Sequence, residues 1–116
     1  MVDDCIFCKM VNKEIPVDII YENDNFFSIL DAQQKIEGHS LVISKKHFKD
    51  TLSLSSDLGV DFLDCVKKTA EKVIKTEGSE GFNLVGNNGA VAGQVVMHVH
   101  YHILPRTKGD KVPHVY

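Results

Sequence analysis

"VMHVHYHILP", residues 96–105, decides how this chain is read. Three histidines alternate there with apolar residues, and along an extended strand successive side chains face opposite ways. His98, His100 and His102 then share one face, while Val99, Tyr101 and Ile103 turn to the other as core. The whole stretch reads as a strand, and half of the chain's six histidines stand on it.

Moving back towards the N-terminus, "NGAVAGQ" (88–94) is a Gly-rich loop and "GFNLVGN" (81–87) another strand. Before them Phe62, Leu63, Val66, Ala70, Val73 and Ile74 recur at helical spacing. Ser55, Ser56 and Asp57 supply helix-start chemistry, Gly59 weakens the first turn, and Gly78 ends the pattern. "SLVIS" (40–44) reads as a strand after a turn at Gly38. "VDIIYEN" and "NFFSILD" read as two strands joined by a hairpin at Asn23-Asp24-Asn25. "CIFCKMV" (5–11) makes a short helix that ends before Pro16. Strands grouped in this way, three and then two around one long helix, predict an α+β fold. Its sheet is five-stranded and antiparallel, with one long and one short helix. One face rests on the long helix and the other carries the histidines.

A chain of 116 residues, 43% hydrophobic, with no repeat or linker, reads as one domain over 1–116. The net charge is −3, and Lys45-Lys46 and Lys67-Lys68 are the nearest approach to a basic cluster, which argues against a nucleic-acid partner. No apolar run reaches membrane-spanning length and "MVDDCIFCKM" does not resemble a signal peptide, so no membrane association and a cytoplasmic location are expected. Three cysteines, an odd number, argue against a disulfide framework. Cys65 falls in the long helix as a small buried side chain. The tail "TKGDKVPHVY" is polar and expected to be mobile, with His114 a surface residue.

Three alternating imidazoles have two chemical uses. As ligands of a single ion they are badly placed, because His98 and His102 stand roughly 13 Å apart on a straight strand. As a row along an extended substrate they suit phosphoryl transfer, in which positioned donors and a nucleophile do most of the work. The preceding loop strengthens the second use. Asn87, Asn88 and Gln94 are side-chain donors, and Gly86, Gly89 and Gly93 let backbone amides approach an anion. Cys5 and Cys8, read alone, fit either a redox pair or half of a zinc site.

"HVHYHIL" (98–104) resembles the signature of the histidine-triad (HIT) nucleotide-binding family. "CIFCKMVNKEIP", "IIYENDNFFSILD", "GHSLVISKKH", "NLVGNNGAVAGQ" and "HILPR" follow in that family's order and spacing, from Cys5 to Arg106. The likeness is to its small bacterial-type members with an N-terminal Cys-x-x-Cys. It implies a purine nucleotide (AMP/GMP-type) substrate, with attack on the α-phosphate by His100 through a covalent nucleotidyl-histidine. The implied substrates are adenosine phosphoramidates or acyl-adenylates, with diadenosine polyphosphate hydrolysis or non-catalytic nucleotide sensing as alternatives.

The same resemblance implies that a carbonyl near His98 holds the nucleophile's other ring nitrogen. His102 donates to a phosphate oxygen, and His39 lies beside the triad. It assigns the ribose to Asp31 and contacts with phosphate or leaving group to Asn87, Gly93 and Gln94. The base pocket falls to Ile6, Phe7, Met10, Ile15, Ile29 and Leu30. A structural zinc on Cys5, Cys8, His47 and His98 is implied, as is a homodimer. One position departs from several small relatives: Val95 stands where they carry a hydroxyl, which predicts slower phosphoramidate turnover or a shifted leaving-group preference.

Overall fold

The computed structural model describes residues 4–113; His114 lies outside them. The chain runs through α1 (Ile6–Val11), β1 (Ile19–Glu22), β2 (Phe26–Leu30), β3 (Ser40–Ser44), α2 (Gly59–Glu77), β4 (Gly81–Gly86) and β5 (His100–Arg106). The strands form one antiparallel sheet in the order β1-β2-β3-β5-β4, as the grouping of elements predicts. Single 3-10 turns at Ser56–Leu58 and Ala90–Ala92 interrupt the loops.

The β1–β2 hairpin closes on Asn23. Its Oδ1 accepts from the amides of Asn25 and Phe26 at 3.0 and 2.9 Å, while its Nδ2 donates to Asp61 O on α2 at 2.8 Å. A short polar side chain that satisfies backbone amides is what a tight turn selects. α2 buries Cys65, Val66, Thr69, Ala70 and Val73, a stripe of helical period. This stripe packs on Phe26, Val42 and Ile103 from one face of the sheet. Each valine so buried contributes about 1.5–3 kcal/mol. The helix ends at Gly78, whose φ of 65° suits a residue without Cβ.

Strand register orders the opposite face. Phe27, Ile43 and His100 lie in one row across β2, β3 and β5; Ile29, Leu41, His102 and Val85 form the next, reaching β4. The apolar half of this face packs with Phe7 and Cys8 from α1 and with Cys5, which precedes it, into a second core cluster. The imidazoles continue the same surface on the β5 side. Gly86 is required where β4 meets β5, because a Cβ there would stand 2.6 Å from Tyr101 Cε2.

Two expectations need correction. The last strand starts at His100, not at residue 96, so His98 precedes the ladder. The amide of Val99 donates instead to Phe48 O at 2.7 Å, and this draws the chain out of the sheet just ahead of β5. Nor is the tail loose up to residue 113. Arg106 Nε and Nη2 grip both oxygens of Asp110 at 2.9 and 2.7 Å, and Nη2 also reaches Val112 O.

Candidate active site

Each imidazole on this face has one nitrogen committed to a partner that fixes its tautomer. His100 Nδ1 lies 2.8 Å from His98 O, an acceptor only, so Nδ1 carries the hydrogen and Nε2 keeps its lone pair. His98 is fully buried, and its Nε2 sits 2.7 Å from Ser44 O. By the same logic its Nδ1 is the basic nitrogen. Burial pushes His98 down to about 4, with the neighbouring His47 and His100 adding to the effect and the Ser44 carbonyl opposing it.

His102 belongs to a longer chain of contacts. The Lys35 amide donates to His39 Nδ1 at 3.2 Å, so the hydrogen of His39 is on Nε2. That Nε2 stands 2.9 Å from His102 Nδ1, which makes Nδ1 the acceptor and leaves Nε2–H of His102 as a donor. Asp31 Oδ2 lies 3.4 Å from His39 Nε2 and 3.9 Å from His102 Nδ1. Burial is the main cause that lowers both rings, taking His102 to about 4; Asp31 opposes the shift and Lys35 adds to it. Asp31, His39 and His102 are close enough to share an ion. The hydrogen that the Lys35 amide forces onto His39 Nε2 makes the group a hydrogen-bonded chain instead.

Cys5, Cys8, His47 and His98 form a separate cluster whose ligand atoms all lie within 4.8 Å of one another. Cys5 caps α1 and Cys8 lies one turn along it. Together they face His98 Nδ1 at 3.2 and 3.5 Å, and His47 Nδ1 is 3.3 Å from Cys8 Sγ and 3.1 Å from His98 Nδ1. A zinc tetrahedron with Zn–S of about 2.3 Å and Zn–N of about 2.0 Å has edges of roughly 3.3–3.8 Å. Donor type and spacing both fit, and the carbonyl on His98 Nε2 orients that ring as a ligand needs. As a free thiol Cys5 is shifted upward by burial, a shift that a bound cation would reverse. All three cysteines are free of disulfides.

The loop residues divide. Gly93 closes the 3-10 turn, with its amide on Ala90 O. The Gln94 carboxamide is committed to backbone: Oε1 accepts from the Gly89 amide at 2.8 Å, and Nε2 donates to Lys49 O and Val96 O at 2.6 and 3.0 Å. It holds the loop's shape. Asn88 accepts from the Thr51 amide, whereas Asn87 lines a cavity beside His102. Val95 is 88% exposed.

Of the residues expected around a base, Met10 and Ile15 line a cavity of about 560 Å³ between α1 and the β1–β2 edge of the sheet, together with Val11, Val17 and Phe27. Phe7 is buried with its ring 5.1 Å from that of His100, and Ile29 is in the same core cluster. Ile6 and Leu30 are about half exposed, and alternation turns Leu30 to the α2 side of β2. Sequence reasoning missed Val11, Val17 and Phe27, although each lies within two residues of one that it did select, Met10, Ile15 and Ile29. It also missed Ser44 O and the Lys35 amide, backbone groups that have no residue-specific signature.

An antiparallel sheet that bears a row of tautomerically fixed imidazoles next to a Cys₂His₂ cluster defines a histidine-triad architecture. Comparison with known proteins agrees: the HIT domain profile matches residues 12–109, and the chain belongs to the HIT domain family. An uncharacterised HIT-like protein of Methanocaldococcus jannaschii is 47% identical over 106 residues, spanning 91% of this chain and 81% of that protein. An adenosine 5'-monophosphoramidase of Candida albicans is 41% identical (88% of this chain, 70% of its own). An adenylylsulfatase of Arabidopsis thaliana is 39% identical over 93% of this chain and 55% of its own length. A solved Streptococcus mutans protein superposes with a TM-score of 0.92 at 33% identity, covering all of this chain and 74% of that one.

Proposed function

We propose that this protein is a nucleoside-monophosphate hydrolase or transferase that acts on adenosine phosphoramidates or acyl-adenylates through a covalent adduct on His100. The observation that carries the reading is the 2.8 Å contact of His100 Nδ1 with His98 O. It leaves Nε2 as a free, oriented base, the form a nucleophilic imidazole needs. Nε2 attacks the α-phosphorus as the bond to the leaving group breaks, an acyl group departing as its carboxylate and an amine departing with a proton taken from solvent. Water oxygen then displaces the imidazole, its proton returns to solvent, and AMP is released. His102, held as an Nε2–H donor by His39, hydrogen-bonds a non-bridging oxygen as charge gathers there. Asp31 takes the ribose hydroxyls, Asn87 contacts the phosphate, and the apolar cavity under α1 receives the purine. Relatives named for adenosine phosphoramidate and adenylyl sulfate hydrolysis support this substrate class.

Zinc on Cys5, Cys8, His47 and His98 would tie α1 to the sheet and hold His98 in place. We propose further that the chain is a single cytoplasmic domain that works as a homodimer. No helix among the described residues is long and apolar enough to cross a membrane. Phe82 and Leu84 on the edge strand β4 are 40% and 44% exposed, surface that a second copy would cover.

Intact mass after brief exposure to adenosine 5'-phosphoramidate tests the mechanism. An adenylyl adduct is expected on the unmodified chain and none on His100→Ala, which also loses AMP release by at least about 10³-fold. Unchanged turnover in His100→Ala would refute the proposal.

A further inference from the structure

Beyond His102, away from the apolar cavity, lies a second cavity of about 220 Å³. Its polar side is Lys35, His39, Asn87 and His102, and Val85 forms part of its floor. The last described residues, Val112 and Pro113, close it from the tail. That wall is built into the fold: Arg106 holds Asp110 and the carbonyl of Val112. Lys35 makes no salt bridge among the described residues, nor does the Asn87 carboxamide make a hydrogen bond there. The Lys35 amide is already fixed on His39 Nδ1, so the residue is anchored through its backbone while its ammonium stays available. Its charge reaches both His39 and His102, whose rings it helps to keep neutral. Asp31 balances that charge from the β2 side of His39.

The sheet register gives this cavity a direction. The rows on the histidine face run from apolar residues on β2 and β3, through the imidazoles of β5, to Val85 on β4. A nucleotide whose base occupies the apolar side and whose α-phosphorus meets His100 directs its remaining substituent towards β4. There it meets the Lys35 ammonium and the Asn87 carboxamide beside the His102 ring, donors that suit a tetrahedral oxyanion.

We infer that this cavity is a leaving-group subsite for a sulfate or phosphoryl group, with Lys35 as its specificity-determining cation. The inference rests on the transfer reaction proposed above. In the first step the bond from His100 Nε2 to phosphorus forms as the phosphorus–oxygen bond breaks, its electron pair leaving on the sulfate or phosphate oxygen beside Lys35. In the second, water oxygen bonds to phosphorus, the imidazole departs, and the water's proton is released. An anionic oxygen leaving group needs no proton to depart, so a fixed cation serves it better than an acid does. An amine gains nothing from a cation at that place.

The test measures kcat/KM for adenylyl sulfate and for ADP, each divided by that for adenosine 5'-phosphoramidate. In Lys35→Met, which keeps the backbone amide on His39, at least one ratio falls about fivefold, the size of a partly exposed ion pair. Lys35→Arg restores it, and the difference shrinks at high salt. A fall confined to adenylyl sulfate identifies sulfate as the group bound, and one confined to ADP identifies phosphate. Unchanged ratios in Lys35→Met, or an arginine variant as poor as the methionine one, overturn the inference. Calorimetric ADP and AMP affinities in His100→Ala, with and without Lys35→Met, separate this from the chemistry. A preference for ADP that disappears with Lys35 upholds the subsite even if no substrate turns over; a preference that survives overturns it.

Discussion

Taking the protein and its His102→Gln variant from pH 7.5 to pH 5 isolates what the buried imidazole contributes to folding. Burial, reinforced by His100, His39 and Lys35, lowers His102 from 6.5 to about 4 against the pull of Asp31. A group depressed in this way favours the folded state fully above its unfolded value of 6.5, and that contribution is lost as pH falls towards 4. At pH 5 the unfolded histidine holds nearly a full proton and the folded one almost none. The linkage integral then gives a loss of about 2 kcal/mol between the two pH values. For a chain of this size 1 kcal/mol corresponds to about 4 °C. The unmodified protein should therefore lose about 8 °C more in Tm than His102→Gln over that interval, followed by circular dichroism. His98 and the carboxylates are common to both proteins and cancel. Equal losses would refute the claim that His102 is held neutral, and with it the claim that its Nδ1 stays free to accept from His39 Nε2 across this pH range.

Three other perturbations have definite outcomes. Protein purified without chelator should contain about one zinc per chain; Cys8→Ala should lose the metal and melt lower, whereas rapid native alkylation of Cys5 and Cys8 would count against the site. Gln94→Ala removes three hydrogen bonds to backbone and should cost about 2–4 kcal/mol, with faster amide exchange through residues 87–97. Gly86→Ala drives a methyl into the Tyr101 ring and should destabilise by about 1–3 kcal/mol in denaturant titration, with less effect if β4 shifts.

How far the structure could be read from the sequence depended on whether the deciding group was a side chain. "SLVIS" gave β3 without error because an apolar run buried on both sides leaves no alternative, and Gly78 marked the end of α2 through its missing Cβ. The proximity of His39 to the triad and the meeting of Cys5, Cys8, His47 and His98 followed from the resemblance and not from spacing. The start of β5 was not legible. Residues 96–99 alternate as well as those after them, and what ends the ladder is the carbonyl of Phe48, fifty residues away in chain terms and identical to every other carbonyl. The same holds for the Lys35 amide that orients His39. Gln94 was legible as a polar loop residue, but whether its carboxamide faced a ligand or its own backbone depended on Lys49, which lies on the far side of α2 in sequence.

His98 serves two neighbours through different atoms. Its ring is directed into the sulfur-rich pocket, while its peptide oxygen steers the imidazole two positions on. Loss of the ring therefore disturbs the cysteine cluster directly, and alignment of His100 only through any backbone shift that follows; a mutational scan would rank the position beside the proposed nucleophile although its ring is sealed from solvent. Oxidation of Cys5 or Cys8, or loss of the proposed zinc, would act along the same short route, through the His98 peptide unit to His100.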